Sequence, residues 1–167
     1  MSREASRYER RGRSFLGGGA AAGLAPDVRR FPEGTRTADD AASAIGCDVG
    51  QIVKSLVFVA GSEPVLALTS GRNRVDTAKL AALCGAIDAR KATADEVRAA
   101  TGYAIGGTPP FGHPARLRCF GDPDLVPFDI VWAAAGTPDS VFAIDPDELM
   151  RLAGARVAPF TETRPGG

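Results

Sequence analysis

A lysine interrupts one of the most apolar stretches of this chain, Gln51-Ile52-Val53-Lys54-Ser55-Leu56-Val57-Phe58-Val59. A run this apolar and β-branched reads as a buried central strand. An ammonium group there must meet a partner, a ligand or a water-filled cavity, because an unpaired buried charge is very costly. Two other stretches also carry chemistry in their residue types. The loop Gly106-Gly107-Thr108-Pro109-Pro110-Phe111-Gly112-His113 joins glycines, which let backbone approach a ligand, to prolines that hold backbone rigid. The segment Phe31-Pro32-Glu33-Gly34-Thr35-Arg36-Thr37 leads into the first helix signal.

The commoner catalytic patterns are missing. There is no Gly-x-x-x-x-Gly-Lys phosphate loop and no Gly-x-Ser-x-Gly nucleophile elbow. A serine triad would need His113, the single histidine, and no serine stands in a recognisable elbow. The acids mostly occupy caps and turns, which gives paired-carboxylate chemistry little support. Cys47, Cys84 and Cys119 lie far apart, without the spacing of a zinc site or a disulfide framework. Three reduced thiols are expected, with no metal and no cofactor. What remains is a strand lysine, a glycine-proline loop and backbone groups.

These groups need a scaffold. With 167 residues, 44% of them hydrophobic, the chain suffices for one domain with a real core. Acidic and basic residues balance at 20 each, which speaks against broad coating of duplex nucleic acid but not against gripping the end of an RNA. Residues 1–20 are Arg- and Gly-rich without apolar periodicity, and read as a flexible tail rather than a signal peptide. A weak electrostatic arm on RNA phosphates is the alternative for that tail. Residues 163–167 also read as loose, and the domain is assigned to 21–162. No stretch is apolar for long enough to be a membrane helix, and a cytoplasmic location is expected.

Helix starts are signalled at Thr37-Ala38-Asp39-Asp40 (running toward Ile45), at Asp76 or Thr77, at Thr93-Ala94-Asp95-Glu96 and at Asp145-Pro146-Asp147-Glu148. Strands are predicted at Ile52–Val59, Val65–Thr69, near Ala86–Ala89, at Arg116–Phe120, Ile130–Ala135, Ser140–Ile144 and at Ala155–Ala158. Gly61-Ser62-Glu63-Pro64 joins the first two as a hairpin. The order predicts an α+β (mixed-sheet α/β) single domain, in which short helices surround a mixed, largely antiparallel sheet.

From about Phe31 to Phe160 the chain resembles the YbaK / prolyl-tRNA-synthetase-associated domain family of aminoacyl-tRNA editing proteins. The resemblance is carried by Thr35-Arg36-Thr37-Ala38, Gly46-Cys47, Gln51 to Leu56, and Gly71-Arg72-Asn73-Arg74-Val75-Asp76. Gly106 to His113, Ala135-Gly136-Thr137-Pro138-Asp139-Ser140 and Asp145 to Leu149 complete it. The resemblance implies hydrolysis of the ester joining a wrong amino acid to a tRNA 3′ end, chiefly on tRNA for proline. Members act alone or as inserts in a synthetase, so the implied partners are the aminoacyl-tRNA 3′ end and prolyl-tRNA synthetase. A monomer or homodimer is expected.

The family lysine falls on Lys54 and the family Gly-x-x-x-P loop on Gly106 through Pro110. The implied mechanism uses Lys54 as a positive anchor and the amides around Gly106 and Gly107 as donors to a tetrahedral oxyanion. Water is the nucleophile, activated through a ribose hydroxyl. The resemblance also places Phe31, Thr35, Arg36, Thr108, Pro110, His113, Gly136 and Asp139 toward the substrate. Ser55 is set aside, since the two-residue strand period turns it away from Lys54. The rivals are a non-catalytic module that binds the tRNA end and an esterase for small acyl compounds. Alanine, cysteine, serine and threonine all remain open as the amino acid removed.

Overall fold

The computed structural model describes residues 28–31 and 37–163. The N-terminal tail, Thr35, Arg36 and residues 164–167 lie outside the described residues. In chain order the elements are β1 (Val28–Arg30), α1 (Ala38–Ile45), β2 (Ile52–Ala60), β3 (Glu63–Ser70) and α2 (Thr77–Cys84). They continue with β4 (Ala89–Lys91), α3 (Ala94–Thr101), β5 (Arg118–Gly121), β6 (Val131–Ala134), β7 (Ser140–Ile144), α4 (Pro146–Ala153) and β8 (Ala155–Val157).

The helices start where side chains can take up free amides. Thr37 accepts from Asp40, Asp76 from Ala78 and Lys79, and Asp145 from Asp147 and Glu148. Thr93 and Glu96 close a reciprocal capping box. Each of the four α-helices among the described residues ends on a left-handed glycine (Gly46, Gly85, Gly102 or Gly154), a conformation that costs a side chain about 1–2 kcal/mol.

The strands form one mixed sheet in the order β1-β7-β6-β2-β3-β5-β8, with β4 also on β2. Pairings β1–β7, β2–β3, β2–β4 and β6–β7 are antiparallel, while β2–β6, β3–β5 and β5–β8 are parallel. One face buries Val53, Val57, Leu66, Leu68, Val131 and Phe142 with Val97 of α3 and Leu149 of α4. The other buries Phe58, Val65, Phe120 and Phe160 with Leu80 of α2. A smaller cluster sets Ala41 and Ala42 of α1 on Ile52, with Trp132 packed against it.

Four details depart from the sequence expectations, the first being that Glu63 and Pro64, read as part of the hairpin turn, belong to β3 and pair with Ala60 and Val59, which leaves Gly61-Ser62 as the turn. The strand predicted near Ala86–Ala89 forms instead at Ala89–Lys91. Ala86 is held by the helix end through its bond to the Ala81 carbonyl, and Ile87 is fully exposed, so pairing begins only opposite Ala60. The strand predicted from Arg116 begins at Arg118, opposite Val65. The three-residue β1 has too little alternation to announce itself, and it exists through its pairing with Ser140–Phe142.

Candidate active site

β2 is incompletely covered along one edge. Its ladder to β6 spans only Ile52 and Val53, and its ladder to β4 only Phe58 to Ala60. Between them, Lys54 to Leu56 face a gap in the sheet, which closes where the Val57 carbonyl accepts from the Ala92 amide at 3.1 Å. A cavity of about 420 Å³ opens there, bordered by Lys54 and Ser55, the first turn of α1, Ile105, Gly106, Thr108, Trp132 and Pro138.

Lys54 lies opposite Thr69 in the β2–β3 register and is half-buried. Its Nζ donates to the Asn73 carbonyl at 2.6 Å, and no carboxylate among the described residues lies within 4 Å of it. Burial pushes its pKa below the ordinary lysine value, the Arg74 and Lys91 charges add to that, and Asp122 opposes it. Asn73 is itself fixed: its Nδ2 donates to Asp122 at 2.8 Å and to Asp124 at 2.7 Å. Asp122, 1% exposed, also accepts from the Ser70 amide at 3.0 Å. A carboxylate pair thus holds the loop that presents a carbonyl to the ammonium group.

The loop carrying Gly106 forms the facing wall. Gly106 has φ +85°, and its N–H has no partner among the described residues. The Gly107 N–H donates to the Ala104 carbonyl at 3.0 Å, so it is engaged inside the loop rather than offered to a ligand. Gly107 serves packing: a Cβ there would stand 2.9 Å from Thr137 Cα and 3.1 Å from Pro138 Cδ. Thr108 is buried, with its hydroxyl on the Ala104 carbonyl at 3.2 Å.

Thr137 to Ser140 brace this wall. The Thr137 hydroxyl donates to Asp139 at 2.7 Å and also meets the Ser140 hydroxyl. The Asp139 carbonyl accepts from the Phe31 amide at 2.7 Å, and its carboxylate lies 3.8 Å from Arg30. Gly136, at φ +107°, sets the turn into this segment.

The residues expected at the substrate therefore divide. Lys54, Gly106 and Thr108 border the cavity, while Phe31, Gly107, Gly136 and Asp139 are not among its lining residues. Pro110 and His113 border a second cavity of about 240 Å³ with Phe111, Leu117 and Leu152. The His113 Nε2 bonds the Pro109 carbonyl at 2.7 Å, and burial pushes its pKa down. Thr35 and Arg36 lie outside the described residues.

Ser55 is the residue that sequence reasoning set aside. Alternation does turn it away from Lys54, yet the residue borders the same cavity, and its Oγ is buried beneath that wall without a partner among the described residues. The uncovered edge of β2 lets side chains of both faces reach the gap. The available signal was a second polar residue inside an otherwise apolar run.

The site thus combines an ammonium group, a free loop amide and apolar walls, with Ser55 and Asp39 among its lining residues. Among the described residues no cluster of three or more His, Cys, Asp or Glu could hold a metal ion, and no helix is long and apolar enough to cross a membrane.

Residues 32–152 match the family model of the aminoacyl-tRNA editing domain. The uncharacterized protein YwhH of Bacillus subtilis is 32% identical over 132 residues, covering 78% of this chain and 83% of YwhH. A proline–tRNA ligase of Nitratidesulfovibrio vulgaris is 36% identical over 92 residues, 55% of this chain but only 16% of the ligase. A crystal structure described as a candidate trans-editing enzyme for prolyl-tRNA synthetase superposes with a TM-score of 0.86 at 46% identity, covering 91% of this chain and 97% of that one. Motif order, mixed sheet and a family match spanning Lys54 and the Gly106 loop agree: this chain belongs to the aminoacyl-tRNA editing domain family.

Proposed function

We propose that this protein is a trans-editing deacylase, which hydrolyses the ester linking a wrong amino acid to the 3′ end of tRNA for proline. The observation that carries the reading is Lys54, a half-buried ammonium group without a carboxylate partner among the described residues, facing a cavity beside the free Gly106 amide. The match to a segment of a proline–tRNA ligase supports proline as the tRNA identity.

In this reading the terminal ribose and its aminoacyl group enter the gap in the sheet. Water attacks the ester carbonyl and forms a tetrahedral oxyanion. Lys54 and the Gly106 N–H stabilise that charge from positions set before the reaction, which is where such donors act best. The bond from the acyl carbon to the ribose oxygen then breaks. The ribose oxygen takes up a proton, and free amino acid leaves. A ribose hydroxyl of the substrate relays the proton from the attacking water.

The test is release of amino acid from tRNA for proline charged with alanine, cysteine, serine or threonine, comparing wild type with Lys54→Ala. The expected result is turnover of at least one charged tRNA, reduced at least about a hundredfold in the variant, as for the loss of one strong oxyanion donor. Equal turnover in the two proteins refutes the role of Lys54. Tight binding of tRNA without release by wild type refutes the enzyme and supports a binding module.

A further inference from the structure

At the far edge of the sheet, where β5 and β8 begin, a third concavity of about 440 Å³ is bordered by Arg116, Arg118 and Arg156 together with Leu117 and Gly154. Other arginines of this protein are neutralised: Arg72 pairs with Asp48, Arg90 with Glu96 and Arg151 with Glu148. Among the described residues, none of the three at the concavity has a carboxylate within 4 Å. Their positions are nevertheless constrained. Arg118 donates to the Cys84 and Leu83 carbonyls at 3.1 and 3.2 Å, at the end of α2, and lies over the Phe120 ring at 5.4 Å. The Arg116 guanidinium lies against Gly154, so closely that a Cβ there would collide with it. Three like charges gathered in one concavity repel one another unless an anion joins them.

The sheet register relates this cluster to the candidate active site. Lys54 is opposite Thr69, Leu56 opposite Ala67, Ala67 opposite Phe120 and Phe120 opposite Arg156. Paired residues point to the same face, so Arg156 stands on the face that carries Lys54. Arg118 shares it, through Phe58 and Val65. Three strand spacings, about 14 Å, and two residues along the strand, about 7 Å, separate Lys54 from Arg156. Between them that face is covered by Leu80 of α2 and by Phe160, so an RNA strand joining the two sites runs around this cover rather than straight across the sheet.

We infer that the Arg116–Arg118–Arg156 concavity is a phosphodiester-binding subsite, which grips the RNA backbone a few nucleotides before the 3′ end held at Lys54. The inference rests on the deacylase reading for the identity of the RNA. It explains how a chain of zero formal net charge holds a polyanion: the positive charge is local, and the grip is confined to the end of the RNA. Arg118 is tied to α2, leaving Arg116 and Arg156 as the groups that meet phosphate.

The experiment uses the full chain and the double variant Arg116→Gln/Arg156→Gln, both exposed positions at which folding is expected to persist, checked by melting temperature. Binding of uncharged tRNA is measured across a salt series, alongside deacylation of charged tRNA and of a 3′-aminoacyl adenosine. The expected result is tRNA binding weakened about tenfold or more and a log–log salt slope shallower by about 1–2, as when two phosphate contacts are lost. KM for charged tRNA rises, kcat is retained, and hydrolysis of aminoacyl adenosine is unchanged. Unchanged tRNA affinity and salt slope overturn the subsite even if deacylation proceeds. Arginine-dependent tRNA binding without deacylation by wild type supports the subsite while refuting the enzyme. If inorganic phosphate raises the melting temperature of wild type but not of the variant, and tRNA affinity is equal in both, the subsite serves a small phosphate compound and the RNA assignment fails.

Discussion

Gly107→Ala tests how the cavity wall is built. Gly107 is outside the left-handed region, so alanine meets no backbone penalty there, and its whole effect comes from crowding. The new methyl group would stand 2.9 Å from Thr137 Cα, 3.0 Å from Thr137 C and 3.1 Å from Pro138 Cδ. Backbone atoms cannot rotate away, so the Gly106 loop and the Thr137–Ser140 segment must separate by about 0.5 Å or more to reach ordinary contact. Overpacking of this kind costs about 1–3 kcal/mol, which lowers the melting temperature by about 3–10 °C for a domain of this size. Misplacement by about 1 Å near reacting groups costs on the order of a hundredfold in rate, so a fall in kcat of about 10- to 100-fold is expected. Gly112→Ala is the control. Gly112 sits at φ +82° with nothing within 4 Å of a built Cβ, so strain of about 1–2 kcal/mol destabilises the same loop without crowding the cavity. Single-turnover deacylation and thermal melting of both variants decide the matter. If Gly107→Ala loses activity only as far as Gly112→Ala does at equal folded fraction, packing of this wall does not position the reacting groups.

Two further outcomes follow from titrating groups outside the cavity. Burial holds the His113 pKa below its ordinary 6.5, so as pH falls through that value the unfolded chain takes up a proton that the folded chain declines. The melting temperature of wild type should therefore drop between about pH 7.5 and about pH 5 more steeply than that of His113→Gln, and identical slopes would refute the assignment. Burial pushes the Cys119 thiol up to about 12, and the residue is only 4% exposed. Thiol labelling followed by mass spectrometry should modify Cys47 and Cys84 in the native protein and Cys119 only after unfolding, and rapid native labelling of Cys119 would contradict its burial.

Much of this protein was legible in local chemistry. The four helix starts were readable because caps act over three or four residues: Thr37, Asp76, Thr93 and Asp145 meet amides of their own first turns. The hairpin of β2 and β3 was readable from two apolar runs joined by turn residues, although the turn itself is only Gly61-Ser62, shorter than the four residues expected. Lys54 stood out because a charge in an apolar strand conflicts with its surroundings wherever the strand is placed. The order of motifs was enough to suggest the family, since motif order is itself a property of the sequence.

What needed the tertiary structure was everything set by partners distant in the chain. Whether β2 would be flanked along its whole edge depended on where β6 stops and β4 starts, and the gap they leave brings Ser55 to the cavity despite strand alternation. Pro110 and His113 follow Gly106 closely in sequence, yet the rigid loop carries them to another cavity. The Gly107 amide could be judged only once its bond to the Ala104 carbonyl was visible. Arg116 and Arg118 lie far from Arg156 in the sequence, and parallel pairing of β5 with β8 gathers them. Short-range hydrogen bonds and side-chain period are properties of a segment, and the sequence states them. Ladder ends, cavity walls and charge clusters are properties of pairs of segments, and only the folded chain decides which pairs exist.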